Sequence, residues 1–349
     1  MFFYALRSIV LGKYLREYRV VVASLAVPLV CLACVSDAPD YDAPSGKDSG
    51  ADALPDGVSD PSPVHPSLGK IGADNGFDVM TWNLQKFPKN GAQTLDNLKQ
   101  AIDAIKPDLV AVQEICDKPS LKTLAQSMPG WESVVVDAEC YPGGYYNPPL
   151  GYLWNKETVN VRNTTRIFTN RSDFRVFPRT PLVLELGWKG VDFIVINVHY
   201  KALGDNVIDW GNESDDEMRR LRASERLEAY LRNNYAGRRV IVLGDFNDRI
   251  EEPEQTNVFM PFLNHPEDYL FADMALAQSM SSDDVSYPPY KSHIDHLLIT
   301  SSLFAAHANE HSFGRTMPVD KAFFGSYSVY AQKVSDHRPV MMHLVGVEP

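Results

Sequence analysis

The 349 residues exceed one average domain, but sandwich and α/β domains of about 200 to 250 residues are common, so one large domain with an appendage is expected. The formal charge is −12: residues 1–33 contribute +3 (four basic residues against Glu17), residues 34–70 contribute −5 (two lysines against seven aspartates), and −10 is left for the remainder. A basic footprint is missing in bulk, which excludes tight, non-specific duplex binding by charge alone, although a bound metal ion would invert the local field.

Arg7, Lys13, Arg16 and Arg19 precede the apolar run Val20–Ala33. That run is short for a membrane span and ends in small residues, so residues 1–33 read as a cleavable export signal. The ending CLAC resembles a bacterial lipoprotein lipobox, which implies cleavage after Ala33 and lipidation of Cys34; Cys31 stands where Leu is usual, and an ordinary signal peptide or an uncleaved anchor is the alternative. The expected address is a bacterial membrane, periplasmic or surface side, or the medium. Residues 34–70 are dense in Asp, Pro, Ser and Gly and poor in large apolar residues, which suits a disordered acidic tether. With Cys31 and Cys34 consumed in the leader, Cys116 and Cys140 remain, an even pair that suggests one disulfide in an oxidising compartment; two free thiols are the alternative.

The domain expected over residues 71–349 opens with FDVMTWNL, whose alternation gives a strand ending at Asn83. Leu95, Leu98, Ala101, Ile102 and Ile105 follow the helical period until Pro107 stops it. LVAVQE then forms a buried strand ending in Glu114. Residues 116–155 are irregular, with YPGGYYNPP marking a long tyrosine-rich loop or hairpin; GYLWN and, after a polar hairpin-like stretch, PLVLELGW read as strands. In FIVINVHYKA, Phe193, Val195, Asn197 and His199 share one strand face. A polar loop precedes a helix carrying Met218, Leu221, Leu227 and Leu231, on which Arg219, Arg220, Arg222 and Arg226 read as a solvated face paired with Glu217, Glu225 and Glu228. VIVLGDFND is a short buried strand that stops at Gly244, and period two turns Asp245 and Asn247 to one side. Residues 249–289 are weakly periodic and suggest a helix with loops. SHIDHLLIT supplies a strand with Asp295 at its start, and VSDHRP sets Asp336 and His337 on a turn before the closing strand.

Each of these polar groups alone fits ordinary strand-end or turn chemistry. Together they are improbable, because the runs that carry them are otherwise depleted of charge. The order TWNL, QE, NVH, GDFN, IDH and SDHRP resembles the endonuclease/exonuclease/phosphatase superfamily, which includes deoxyribonuclease I, neutral sphingomyelinases and inositol polyphosphate phosphatases, over about Phe77 to Val345. With NVFMPFL upstream of YKSHIDHLLIT, the chain is most similar to secreted bacterial members.

The resemblance implies a deoxyribonuclease I-like α/β fold: a four-layered sandwich of two mixed β-sheets flanked by helices, with the site at one edge of the sheets. It implies Mg²⁺, with Mn²⁺ as the alternative ion, held by Glu114 with help from Asn83, and Asp336 as a second metal-site ligand. It further implies that Asp245 activates water, Asn247 stabilises the transition state, His337 completes the site with Asp295 fixing its tautomer, and His199 meets a phosphate oxygen or the leaving group. In deoxyribonuclease I a Glu pairs with the histidine matching His199, whereas residues 145–155 here hold none, and Tyr152, Asn197 or a loop residue could substitute. The expected activity is phosphodiester hydrolysis by a monomer, with nucleic acid the first substrate class. A phospholipase C or sphingomyelinase is the alternative, although the His-x-Gln of neutral sphingomyelinases is unmatched, since Tyr200 and Lys201 follow His199. A non-catalytic surface binding module is the third reading.

Overall fold

In the computed structural model of the protein the described residues are Leu68, 75–135, 149–279 and 281–348. The leader, Cys34, nearly all of the tether and Cys140 lie outside them. The described strands are β1 (Gly76–Phe87), β2 (Leu109–Ile115), β3 (Trp131–Val135), β4 (Gly151–Asn155), β5 (Val159–Arg166), β6 (Leu182–Trp188), β7 (Val191–His199), β8 (Val240–Asp245), β9 (Tyr269–Phe271), β10 (Asp295–Thr300), β11 (Phe313–Thr316) and β12 (Val340–Val345). They form two six-stranded sheets, ordered β11-β12-β1-β2-β4-β3 and β5-β6-β7-β8-β10-β9. Both are mixed: β1 with β2 and β7 with β8 run parallel among antiparallel neighbours.

Alternation along each strand feeds two different cores. Phe77 and Val79 of β1, Leu109 and Ala111 of β2, Phe193 and Val195 of β7, and Ile241 and Leu243 of β8 meet between the sheets. Met80, Trp82, Val110 and Val112 face outward onto Leu98 and Ile102 of helix α1 (Ala92–Ile105) and Leu121 of α2 (Lys118–Gln126). Ile194, Ile196, Val198 and Val242 face the other way onto Met218, Leu221 and Leu227 of α3 (Asp216–Asn234). The result is the expected four layers, helix, sheet, sheet, helix. Local signals set the helix ends: Lys106 closes α1 in a left-handed conformation before Pro107, and the Asp215 carboxylate caps α3 by accepting from the Met218 amide at 2.7 Å.

Polar side chains tie the sheets together near one end. The Gln113 amide donates to Thr81 Oγ1 at 3.0 Å within its own sheet and to Asn197 Oδ1 at 2.9 Å across the interface. Tyr152 Oη lies 2.9 Å from the carbonyls of Leu182 and Val195 on the facing sheet.

Several expectations fail for identifiable reasons. Within residues 116–155, β3 pairs antiparallel with β4 from Trp131 with Asn155 to Val135 with Gly151, as the hairpin alternative expects, but α2 was not foreseen. The polar stretch after GYLWN is β5, an edge strand whose side chains are mostly exposed, so no apolar period marks it. Residues 249–289 contain two single-turn helices, Met260–Leu263 and Met274–Ala277, with the three-residue β9 between them. Segments this short carry no readable period. On α3, Arg222 does pair with Glu225 at the surface, but Arg220 and Glu217 are buried.

Candidate active site

Strand register places three of the expected groups in one row. His199 of β7 pairs with Asp245 of β8 in the parallel ladder, and Asp295 of β10 pairs with the same Asp245 in the antiparallel one. All three are buried. Asp245 Oδ2 lies 3.5 Å from His199 Nε2 and 3.8 Å from His337 Nε2. His337 arrives from the turn before β12, and its Nδ1 donates to Asp295 Oδ2 at 2.7 Å.

Residues of the first sheet close the other side. Asn83 is not the end of β1, which runs on to Phe87, but stands where the strand's pairing with β2 shifts register; its amide donates to Asp245 Oδ2 at 2.9 Å and reaches Glu114 Oε1 at 3.4 Å. Strict alternation would send Glu114 outward with Val110 and Val112. Its backbone is instead left-handed, φ +62°, and its carboxylate accepts from Asn83 and from the Lys86 amide at 3.1 Å. For a residue with a Cβ this conformation costs about 1–2 kcal/mol, strain of the kind that accumulates at functional sites. Asp336 is half-buried, with Oδ2 accepting from Gln85 Nε2 at 2.7 Å and Oδ1 lying 4.0 Å from His337 Nε2.

Asn247 reaches the site by a different route from the expected one. The strand ends at Asp245 and Asn247 is left-handed, φ +53°, so period two does not apply beyond the turn. The Asn247 amide N–H caps Asp245 Oδ1 at 2.9 Å, and its side-chain amide donates to the Tyr200 carbonyl at 3.3 Å.

The electrostatics separate the ionisable groups. Burial raises the Asp245 carboxyl to about 7, with Asp295 adding to the rise and His337, Asn83 and the Asn247 amide opposing it. Burial works against charge on His337, but the Asp295 and Asp245 carboxylates outweigh it and push the ring up to about 10. His199 goes the other way: burial, then the charges of Arg179 and His337, hold it well below the ordinary histidine range and keep it neutral. Its Nδ1 has no hydrogen-bond partner among the described residues. Neither expected substitute reaches it, since Tyr152 serves the facing backbone and Asn197 is engaged by Gln113, the Val112 carbonyl and the Gly151 carbonyl.

Two features escaped the sequence. Arg179, just before β6, donates to the Tyr200 carbonyl at 3.1 Å and keeps a buried Nε without a partner; its charge acts on Glu114, Asp245 and His199. An arginine directly ahead of a buried apolar strand was the available signal. Tyr287 lies against the His337 ring, centroids 4.6 Å apart, and Tyr290 stacks on Tyr287 at 5.6 Å and 20°. The signal there was two aromatics spaced around a Pro-Pro turn.

Chemically, Asp245 is poised near neutrality to take a proton, while the protonated ring of His337 and the guanidinium of Arg179 can meet developing negative charge. Asp245, Asp295 and His337 offer ligand atoms within 4.8 Å of one another, but the 2.7 Å contact is a direct hydrogen bond. Glu114 and Asp336 fit a hard cation better. Both are half-buried oxygen donors, and burial and the Glu114 carboxylate raise Asp336 against the opposing His337 charge, an imbalance that a cation relieves.

The "Endonuclease/Exonuclease/phosphatase family" matches residues 80–337. No curated protein matches the chain in sequence. Among solved structures, D. rerio TDP2 complexed with a single-strand DNA product is 14% identical with a TM-score of 0.54, covering 78% of this chain and 99% of that one. An endonuclease/exonuclease/phosphatase protein from Bacteroides vulgatus is 14% identical with a TM-score of 0.54, covering 77% and 98%. The human Nocturnin catalytic domain with bound sulfate is 18% identical with a TM-score of 0.50, covering 77% and 94%. At these identities the likeness is one of fold.

Proposed function

This chain belongs to the Endonuclease/Exonuclease/phosphatase family, whose members are metal-dependent phosphoric ester hydrolases, and from that premise we propose that it is an exported, Mg²⁺-dependent phosphodiesterase acting on nucleic acid. The observation that carries the reading is the row His199–Asp245–Asp295 completed by His337 and Asn83. In-line displacement at phosphorus needs a base beside the attacking water and donors for the charge that develops on phosphate oxygens. Asp245 takes the water proton. Asn247, His199 through Nε2–H, Arg179 and protonated His337 donate to nonbridging or leaving oxygens, and Asp295 holds the His337 ring in place. Glu114, with Asn83 and Asp336, would hold the Mg²⁺, which would supply Lewis-acid stabilisation of the charge developing on phosphate.

The aromatic ladder His337–Tyr287–Tyr290 favours nucleic acid. Tyr290 is 80% exposed, yet its turn is rigid: two prolines sit in it, and Tyr287 and Ser292 exchange backbone hydrogen bonds at 2.9 and 3.2 Å. Such a ring suits a base stacked beside the scissile phosphate. The single-strand DNA product in the TDP2 structure supports the same class. Base–aromatic stacking contributes about 1–3 kcal/mol, so Tyr290→Ala should raise KM for a single-stranded oligonucleotide about 5- to 160-fold. Steady-state kinetics should show no such rise on a glycerophosphodiester.

A second reading, phospholipase C or sphingomyelinase, draws on Leu203, Val207 and Trp210, which are 80%, 57% and 69% exposed on the loop after His199. Lipidation at Cys34 would hold either enzyme at a membrane. A panel of plasmid, single-stranded DNA, RNA, sphingomyelin and inositol phosphates, with Mg²⁺, Mn²⁺ or EDTA, separates the readings. The expected result is cleavage of single-stranded nucleic acid, abolished by EDTA. Preferential sphingomyelin hydrolysis would overturn the substrate, and EDTA-resistant activity the metal.

A further inference from the structure

Beneath the active site a line of buried charged groups runs from α3 to the start of β10. The guanidinium of Arg220, 2% exposed, donates from Nε to Asp248 Oδ2 at 2.6 Å and from Nη1 to the carbonyls of Lys201 at 2.9 Å and Leu203 at 2.6 Å. Its Nη2 lies 3.2 Å from Glu217, whose Oε1 also accepts the Asn206 amide at 2.6 Å. Beyond Asp248, whose carbonyl accepts from His296 Nε2 at 2.8 Å, His296 Nδ1 donates to Asp273 at 2.7 Å and His293 to the same oxygen at 2.9 Å. Direct hydrogen bonds thus account for the Asp273–His293–His296 cluster.

Buried ion pairs of this kind add little net stability over apolar packing, because desolvation offsets the attraction. What Arg220 does supply is a fixed relation between two chain segments. Lys201 and Leu203 belong to the loop that leaves the site after His199, and Asp248 follows Asn247. The loop passes through three residues of positive φ, +75° at Leu203, +121° at Gly204 and +64° at Asn206, of which only Leu203 is disfavoured there. Immediately before it stands the Tyr200 carbonyl, the acceptor that orients the Asn247 side-chain amide.

We propose that Arg220 is a positioning residue: by gripping Asp248 and the Lys201 and Leu203 carbonyls together, it fixes the Tyr200 carbonyl against Asn247 and aims that amide at the reacting phosphate. The proposal rests on the phosphodiesterase reading above.

A double-mutant cycle on the full-length protein, with Mg²⁺ and a single-stranded oligodeoxynucleotide, tests it. Arg220→Lys keeps the charge but cannot hold three acceptors in one plane. A displaced active-site group costs up to about 100-fold, so Arg220→Lys should lower kcat about 10- to 100-fold and change KM less than about threefold. In an Asn247→Ala background the same change should lower kcat less than about threefold, because the group it acts through is gone. Additive losses overturn the proposal. If Arg220→Lys does not fold, Asp248→Asn weakens the same link at constant volume, removing its charge and one of the two acceptor oxygens that serve Arg220 and Arg249, and completes the cycle. The Asn247 side-chain amide NMR signal, identified by its loss in Asn247→Ala, reads the claim without turnover. It should shift in Arg220→Lys, and an unmoved signal overturns positioning, whereas an inactive wild-type protein with a shifted signal overturns only the phosphodiesterase reading.

Discussion

Asp245→Asn should lower metal-dependent phosphoester hydrolysis at least about a thousandfold while leaving the fold intact, because it removes the only carboxylate of the row that faces both imidazoles and can accept a proton near neutral pH. The side chain keeps its shape. Burial already disfavours charge on this carboxyl, so an uncharged amide should leave the melting temperature unchanged or higher. The wild-type pH profile follows from the same two groups. The proposed mechanism needs Asp245 ionised and His337 protonated, so log(kcat/KM) should rise with pH up to about 7, hold a plateau, and fall as pH passes about 10. His337→Ala should remove the alkaline limb and most of the activity. Stopped assays across pH, with thermal melts of each variant, check both. Near-normal turnover in Asp245→Asn would end the assignment of the base.

The second large effect concerns Gly244, and it is structural. A Cβ at this position would lie 1.9 Å from the Val198 carbonyl oxygen and within 2.9 Å of two more backbone atoms of Val198, at φ +148°. Neither partner can yield, since both belong to the paired strands β7 and β8. Gly244→Ala should therefore force those strands apart and destabilise the protein by at least about 3 kcal/mol. For a domain of this size that is a fall of about 6–12 °C in Tm, readable by calorimetry. Activity should fall with it, because the displaced strands carry His199 and Asp245. An unchanged Tm would mean that the two strands are less rigidly held than their register indicates.

Both effects centre on a stretch that was legible in the sequence. VIVLGD showed an apolar run stopping at a glycine, and the polar groups at the ends of neighbouring runs could be counted without coordinates. Individual strands were legible for the same reason, since strands buried on both faces leave runs such as LVAV and FIVI, whereas the four-layered sandwich followed only from the family resemblance that the order of the motifs carries. What could not be read was anything set by backbone torsion or by contacts far apart in sequence. The outward phase of Glu114 is reversed by one left-handed residue, and Asn247 arrives by a turn rather than by alternation. Arg220 looked like its surface neighbours because helical spacing does not reveal which arginine meets Asp248. Polar β5 and three-residue β9 depend on their partners rather than on their own composition.

The pairing of the first described strand with the last has a consequence for the order in which the molecule can be assembled. β1 sits between β2 and β12, in register from Gly76 with Val345 to Thr81 with Val340. Trp82 donates to the hydroxyl of Tyr330 across 248 residues, and Ser335 donates to the carbonyl of Asn83 across 252. As the ribosome releases the chain, the first sheet keeps an open edge along β1 until the final strand is made. Contacts of such high sequence separation form slowly and leave that edge open to wrong partners in the meantime. Any chain that stops short of β12 lacks both the strand that closes this edge and the frame that presents His337, so the active site cannot exist before β12 does.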